Sequence, residues 1–188
     1  GPVGPDDLEA AANDMKAVAE HMLQIGYADR YDLVAYLNNA GALLRLANRP
    51  AECEELFRRA PTVVQSEPQL RRLLALSQLG QGKPKEAAAT LAGDLDPESE
   101  LLAANLTAID DPSAALTRVL AIDPSPLTPE LASSRWHLVG EFSLVLDDEK
   151  RLREAVDALR QLGRDKVEAD LLLIRWDKKN GAGDEEIT

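Results

Sequence analysis

The segment LANRPAECEELF, residues 46–57, predicts the end of one helix, a short turn and the start of a second helix. Proline is tolerated in the first turn of a helix, because the N–H group that it lacks would have no partner there, so Pro50 marks the start of the second helix. The segment LGQGKPKEAAATL, residues 79–91, has the same pattern 34 residues later, with Pro84 in the place of Pro50. The two segments therefore predict helical hairpins that recur along the chain.

The composition of the whole chain favours helices over strands. Of its 188 residues, 45% are hydrophobic but only 4% are aromatic, so alanine and leucine must fill most of the interior. These two residues are strong helix formers, and no segment alternates apolar and polar residues for long enough to predict a strand. The predicted fold class is all-α, with short connections that make neighbouring helices antiparallel. Breaks at proline, glycine and aspartate predict helices at about 6–25, 29–47, 50–60, 68–79, 84–93, 97–109, 112–123, 129–146, 148–162 and 164–178.

The hairpins share a pattern of large and small residues. It is clearest in the first and fourth hairpins, and in the two middle hairpins only the second helix carries it. Because small side chains on facing helices let the helices approach, we expect close packing at Gly41 and Gly140. The matching segments are Leu37-x2-Ala40-Gly41-x2-Leu44, Cys53-x3-Phe57, Ala87-x3-Leu91, Ala115-x3-Val119, Trp136-x2-Val139-Gly140 and Ala155-x3-Leu159.

This pattern resembles the tetratricopeptide repeat family, whose 34-residue units follow W-x2-L-G-x2-Y, then A-x3-F, then P. The resemblance covers about residues 29–178 and implies antiparallel helix hairpins stacked as a right-handed solenoid. A generic helical bundle, in which helices that begin at proline recur by chance, is the alternative. The remaining segments are interpreted as a tag remnant or disordered start at 1–5, an N-terminal packing or capping helix at 6–28 and an acidic disordered tail at 179–188. The opening Gly-Pro is typical of a cleaved tag, so we expect the chain to be part of a longer protein.

Charge and cysteine usage argue against several classes of partner and site. The chain has 33 acidic and 21 basic residues, a formal charge of −12, which repels a nucleic-acid backbone. The single cysteine, Cys53, excludes an internal disulfide framework and a cysteine-rich zinc site. No run of about eighteen apolar residues predicts a transmembrane helix, so we expect no direct membrane insertion. A soluble, cytoplasmic protein is predicted, and the arginine- and alanine-rich composition is typical of a bacterial source.

The sequence has no pattern that is typical of an active site. His21 and His137 lie far apart, and neither has a second ligand at the spacing of a helical metal site. Cys53 occupies the small-residue position of its hairpin, facing a neighbouring helix, which favours a packed thiol over a nucleophile. Trp136 and Trp176 are interpreted as packing residues. We therefore predict no enzyme activity, no metal and no cofactor.

The resemblance implies a concave face lined by the first helix of each hairpin, where a partner protein or peptide is held. The predicted function is accordingly that of a protein–protein interaction scaffold or adaptor. Arg45 and Arg72 on this face would favour an acidic or C-terminal carboxylate-bearing segment. The alternative is that the two arginines only pair with nearby acidic residues of the chain. A small-ligand or enzymatic pocket near Trp136 and His137 is the alternative, and self-association through the end hairpins is a third possibility. The predicted partner-binding residues are Asn38, Ala42, Arg45, Gln69, Arg72, His137 and Glu141.

Overall fold

The computed structural model describes residues 4–163 and 166–181. These residues form eleven α-helices, and no strand occurs among them, so the all-α fold class is confirmed. The helices are α1 (Pro5–Gln24), α2 (Arg30–Leu46), α3 (Pro50–Arg58), α4 (Pro61–Ser66), α5 (Pro68–Gly80), α6 (Pro84–Thr90), α7 (Pro97–Thr107), α8 (Pro112–Ala121), α9 (Pro129–Val145), α10 (Glu149–Leu162) and α11 (Lys166–Lys179).

Proline and short polar side chains determine where most of these helices begin. Eight of the eleven helices have proline as their first residue, which is why the sequence predicts their starts closely. Other starts are fixed by capping: the Asp29 carboxylate accepts hydrogen bonds from two backbone N–H groups of α2, and the Asp148 carboxylate accepts one from α10. Helix α4 is absent from the predicted set. Pro61 was expected only to end the preceding helix, whereas it also begins a short helix that buries Val64.

The chain divides into two compact units, residues 1–94 (unit 1) and 95–188 (unit 2). In unit 1, α2 packs against α1, α3 and α5, α3 packs against α5, and α6 packs against α5. One apolar cluster joins the first five helices, and its fully buried members include Leu37, Leu44, Phe57 and Leu70. In the hairpin formed by α5 and α6, the side chains of Ala87 and Leu91 are also inaccessible to solvent.

Unit 2 is centred on α9, which packs against α7, α8, α10 and α11. Its interior consists of two apolar clusters. The first joins α7, α8, α9 and α10 around Ala115 and Val139, and the second joins α9, α10 and α11 around Leu159 and Leu172. The Trp136 ring contacts both clusters, in agreement with its predicted packing role.

Two helical glycines lie at close contacts between helices. A Cβ atom on Gly41 would lie 2.6 Å from Cζ of Phe57 and 3.3 Å from Sγ of Cys53, so α2 and α3 meet as the small residues predict. A Cβ atom on Gly140 would lie 2.5 Å from Cδ1 of Leu172. That neighbour belongs to α11, whereas the sequence pattern pointed to the partner helix of the same hairpin, α10.

Most of the predicted segments 1–5 and 179–188 lies outside the described residues, which begin at residue 4 and end at residue 181. The prediction of a single repeat domain over 29–178 stays a prediction. Across the described part of the chain, no helix combines the length and apolar character that crossing a membrane requires.

Candidate functional site

A groove lies between α7 and α9 of unit 2. Its main depression has a volume of about 650 Å³, and α11 contributes only Glu168 to the lining. Leucines from both α7 and α9 form its floor, and polar side chains form most of the rest. The lining residues are Leu101, Leu102, Asn105, Glu130, Ser133, Ser134, His137, Leu138 and Glu168.

A second depression, of about 390 Å³, continues this groove along α9. It shares Asn105, His137 and Leu138 with the first and extends to Ala108, Pro112, Glu141, Phe142 and Val145. We call the two depressions together the unit 2 groove. Along α9 it runs from Glu130 to Val145, which at the helical rise per residue is roughly 22 Å.

His137 lies at the centre of the unit 2 groove, between two carboxylates. Its Nε2 atom is 3.9 Å from Oε1 of Glu141, and its Nδ1 atom is 3.8 Å from Oε2 of Glu168. Both distances exceed a hydrogen bond, and Nδ1 is buried without a hydrogen-bond partner in the described structure. The Glu141 carboxylate instead accepts a hydrogen bond from the Arg175 guanidinium of α11. The imidazole therefore has hydrogen-bonding capacity that the described residues leave unused.

Unit 1 has a groove of its own, about 640 Å³ in volume, beside the N-terminal half of α2 and the start of α5. Its one pair of opposite charges is internal, because the Arg30 guanidinium donates to the Glu67 carboxylate at 2.8 Å. Three amides, Asn38, Asn39 and Gln69, supply most of the remaining polar surface. The lining residues of this unit 1 groove are Arg30, Tyr31, Val34, Ala35, Asn38, Asn39, Glu67 and Gln69.

The predicted partner-binding residues are divided between the two grooves. Asn38 and Gln69 come together in the unit 1 groove, and His137 and Glu141 lie in the unit 2 groove. The other three predicted residues, Ala42, Arg45 and Arg72, are half-buried and line neither groove. Trp136, which was predicted beside His137 in a possible ligand pocket, is partly buried against the two apolar clusters of unit 2 and does not line either depression of the groove.

Much of the unit 2 groove was not predicted from the sequence. Leu101, Leu102 and Asn105 belong to α7, the first helix of a middle hairpin, where the repeat pattern is missing. On α9, however, a spacing signal was present: Glu130, Ser134, His137, Glu141 and Val145 recur at intervals of three or four and share one face. That spacing, followed in both directions from His137, would have identified the α9 side of the groove.

The cysteine of the described structure, Cys53, is buried, and burial determines the reactivity of its thiol. Burial raises the pKa of the Cys53 thiol to about 11, although a hydrogen bond with Ser77 and the charge of Arg45 act in the opposite direction. The thiol is therefore protonated near neutral pH and is a poor nucleophile. Within residues 4–163 and 166–181, no three histidine, cysteine, aspartate or glutamate side chains are grouped so that they could hold a metal ion.

One helix face in unit 2 is apolar but exposed. On α11, Ala169, Leu172 and Trp176 are buried, whereas Val167, Leu171 and Ile174 lie on the solvent side. The exposed residues follow a spacing of four and three, so they form a continuous stripe along the helix. We call these three residues the α11 stripe.

No protein-family model matches the chain, and no curated protein or solved structure matches it either. The resemblance of the hairpins to a known repeat therefore depends on their own residues. The function is inferred from the two grooves and from the α11 stripe.

Proposed function

We propose that this chain is a protein-interaction module that holds a segment of a partner protein in the unit 2 groove, without catalysis. The observation that carries the proposal is the shape and lining of that groove. It is open, it follows four turns of α9, and it has leucines in its floor and polar groups around them. Peptide-binding grooves commonly combine apolar pockets for anchoring side chains with hydrogen-bonding groups at their edges.

The order of helices around the grooves supports a repeat-like architecture. Helices α2 and α5 are the first helices of two successive hairpins, and both contribute to the unit 1 groove. Helices α7, α9 and α11, which alternate along the chain, contribute to the unit 2 groove. Stacked helical hairpins of the tetratricopeptide type present their first helices in this way. We therefore propose tetratricopeptide-like hairpins within each unit, and the right-handed solenoid stays a prediction.

Selection of peptides from a displayed random library against the intact chain tests the proposed function. Peptides that bind should lose affinity for Leu138→Glu, which places a charge in the floor of the unit 2 groove. They should keep it for Leu146→Glu, a matched change beyond the groove at the end of the same helix. Ala35→Arg, which fills the unit 1 groove, identifies peptides that bind there instead. Selected peptides that bind all three variants as well as the unmodified chain would contradict the proposal.

A small-ligand site is the second candidate function. The main depression falls within the volume range of small-molecule sites, and the His137 imidazole supplies an unsatisfied polar atom beside it. A thermal-shift screen with metabolites distinguishes this candidate from peptide binding. A ligand that raises the melting temperature of the unmodified chain by several degrees, but not that of His137→Phe, would favour it.

Self-association is a further candidate, and the α11 stripe is the observation that favours it. Exposed contiguous apolar surface commonly marks an interface. Light scattering over a concentration series should then give a mass above 20.4 kDa, the mass of one chain. Leu171→Lys should return the mass to that of one chain, whereas Ile109→Lys, a matched change at another exposed apolar residue of unit 2, should not. A single-chain mass at every concentration would exclude this candidate.

A further inference from the structure

The unit 1 groove contains hydrogen-bonding groups that the protein itself does not use. Asn38, Asn39 and Gln69 line it, and their carboxamides neither donate nor accept a hydrogen bond within residues 4–163 and 166–181. Asn39 and Gln69 are exposed, and Asn38 is half-buried. A carboxamide has an NH₂ group that donates and a carbonyl oxygen that accepts. The groove therefore presents three planar groups that can each donate to and accept from a ligand at the same time.

The charges of this groove compensate each other. The charged side chains among its described lining residues are Arg30 and Glu67, which form a salt bridge at 2.8 Å. The Arg30 guanidinium also donates to the Ser66 hydroxyl. The formal charge of the whole chain, −12, repels an anion at long range. A ligand without net charge therefore suits this lining best.

An aromatic ring lies in the same groove as the carboxamides. Tyr31 is 82% exposed, and its hydroxyl group has no hydrogen-bond partner among the described residues. Tyr31, Ala35 and Asn39 follow each other at intervals of four, so they form one row along α2. At the helical rise per residue this row is roughly 12 Å long. The methyl group of Ala35 occupies little of the space between the ring and the carboxamide, which leaves room for a short chain of rings.

The aliphatic part of the lining is small. Among the described lining residues it consists of Val34, which is 8% exposed, and Ala35. The unit 2 groove, in contrast, has a floor of leucines. A bound peptide obtains much of its affinity from large side chains that enter apolar pockets. The unit 1 groove therefore favours a ligand rich in hydroxyl groups over a peptide.

We propose that the unit 1 groove binds a neutral oligosaccharide, whose hydroxyl groups pair with the three carboxamides and one of whose sugar rings stacks on the Tyr31 ring. A sugar hydroxyl both donates and accepts a hydrogen bond, as a carboxamide does. The C–H groups on the face of a pyranose ring are slightly positive, and the negative face of an aromatic ring attracts them. This site is additional to the unit 2 groove and does not depend on the peptide binding proposed there.

Binding of the labelled intact chain to an array of neutral and acidic oligosaccharides tests the inference. Neutral oligosaccharides should bind and acidic ones should not. Calorimetry with the neutral oligosaccharide that gives the strongest signal then measures its affinity for variants. Tyr31→Ala should weaken binding about tenfold, whereas Tyr31→Phe, which keeps the ring, should stay within about threefold. Asn39→Leu should weaken binding about fivefold, since the hydrogen bonds of one carboxamide are lost.

Tyr36→Ala is the matched control, because Tyr36 is an exposed tyrosine of α2 that does not line the groove. It should leave the affinity within about twofold of the original. Absence of binding to every neutral oligosaccharide, or tighter binding of acidic ones, would overturn the inference. Sugar binding that neither Tyr31→Ala nor Ala35→Arg weakens, or that Tyr31→Ala and Tyr36→Ala weaken equally, would refute the groove as its site.

Peptides are the alternative occupant of this groove. Library peptides that bind Leu138→Glu but not Ala35→Arg, while no oligosaccharide binds, would show that the unit 1 groove holds a peptide and would overturn the inference. Failure of the oligosaccharide experiments leaves the proposed function intact, because peptide binding in the unit 2 groove is tested by Leu138→Glu. Failure of that test likewise leaves the oligosaccharide site intact.

Discussion

Units 1 and 2 are both built from helical hairpins, but they bury charge in different ways. In unit 1 the buried Glu54 carboxylate accepts hydrogen bonds from Arg58, Gln81 and Lys83, so a buried anion is matched by cations. In unit 2 the Arg135 side chain is 6% exposed, and its guanidinium donates to backbone carbonyl groups at the end of α8. The two units therefore satisfy buried charge with side chains in one case and with a helix terminus in the other.

Their grooves differ in the same respect. The charges that line the unit 1 groove, Arg30 and Glu67, pair with each other, whereas the described lining of the unit 2 groove includes carboxylates and no lysine or arginine, and Glu141 pairs with Arg175, which lies outside that lining. A groove whose charges are already paired offers hydrogen bonds and apolar contact to a partner. The comparison teaches that similar helical hairpins can present two grooves with different linings, and a substitution in the lining of one groove leaves the other lining unchanged.

The largest effect is expected from Phe57→Ala in the interior of unit 1. The side chain is 1% exposed, and its removal leaves a cavity that costs about 3–5 kcal/mol of unfolding free energy. Both tryptophans, Trp136 and Trp176, belong to unit 2, so their fluorescence monitors that unit alone. In urea, we expect the helical circular-dichroism signal to lose part of its amplitude earlier while the fluorescence midpoint stays unchanged.

Leu172→Ala is the matching change in unit 2, where the side chain is equally buried. It should lower the midpoint of the fluorescence transition by a comparable amount. If Phe57→Ala instead shifts both signals together, the two units unfold as one cooperative structure, and the division at residue 94 has no energetic counterpart.

A smaller effect is expected from Arg135→Met. This change keeps most of the apolar stem but removes the hydrogen bonds to the carbonyl oxygens of Val119, at 3.2 Å, and Leu120, at 3.3 Å. The Val119 carbonyl keeps the Ile122 N–H as a donor at 3.3 Å, so the loss falls mainly on the Leu120 carbonyl. We expect a cost of about 1–2 kcal/mol, which a fluorescence-monitored urea titration measures. Arg153→Met, at an exposed residue paired with Glu149, should cost less than about 0.5 kcal/mol. Equal stability of Arg135→Met and the unmodified chain would mean that burying the cation costs as much as its hydrogen bonds contribute.

The two packed glycines give a third comparison between the units. Alanine at Gly41 would press on the Phe57 ring, which is rigid, and on the Cys53 sulfur, so we expect a loss of about 1–3 kcal/mol. Alanine at Gly140 meets the end of the Leu172 side chain, which can rotate, and alanine's higher helix propensity offsets about 1 kcal/mol. Gly140→Ala should therefore be close to neutral by the same urea titration. A larger loss at Gly140 than at Gly41 would show that Leu172 is as firmly held as Phe57.

The sequence predicts the helices of this protein better than it predicts the grooves. Proline at the first position sets most helix starts locally, so no tertiary information is needed to find them. Helix α4 was not predicted, because Pro61 follows the end of α3 so closely that it was interpreted only as the end of that helix, whereas it also begins the next one. A groove depends instead on how two helices cross, which decides which turns of each face the opening. Arg45 lies two turns from Asn38 on α2, and the lining of the unit 1 groove includes only the earlier residue.

The two first-turn carboxylates that line the unit 2 groove illustrate the same limit. Glu130 and Glu168 are far apart in sequence, and each resembles an ordinary first-turn carboxylate of its own helix. Only the packing of α11 against α9 brings Glu168 to the groove that α9 lines. Gly140 of α9 is similar, since its close neighbour Leu172 lies on α11 and not on α10, the other helix of its own hairpin. In both cases the residue type was visible in the sequence, but its partner depended on the tertiary arrangement.

The smallest expected effect concerns the acid sensitivity of unit 1. The Arg49 guanidinium donates to the Glu52 carboxylate at 2.6 Å and the Lys16 ammonium donates at 2.7 Å, and these bonds lower the pKa of Glu52 to about 2. A carboxyl group whose folded pKa lies below its ordinary value of 4.5 stabilises the fold above that value, and the stabilisation is lost as the pH falls toward 2. Because the side chain is 34% exposed, solvent screening limits the contribution to about 1 kcal/mol.

Glu52→Gln should therefore lower the stability of unit 1 by about 1 kcal/mol at pH 7 and by progressively less between pH 4.5 and pH 2, as measured by circular dichroism in urea. The control is Glu149→Gln in unit 2, where the carboxylate is 52% exposed and pairs with Arg153 within one helix. It should change stability by less than about 0.5 kcal/mol at any of these pH values, since exposed pairs of this kind contribute little. A constant difference between Glu52→Gln and the unmodified chain from pH 7 to pH 2 would show that Glu52 contributes through packing. The difference between the two units would then lie in their buried charges, Glu54 and Arg135, and not in the half-exposed ion pairs of Glu52.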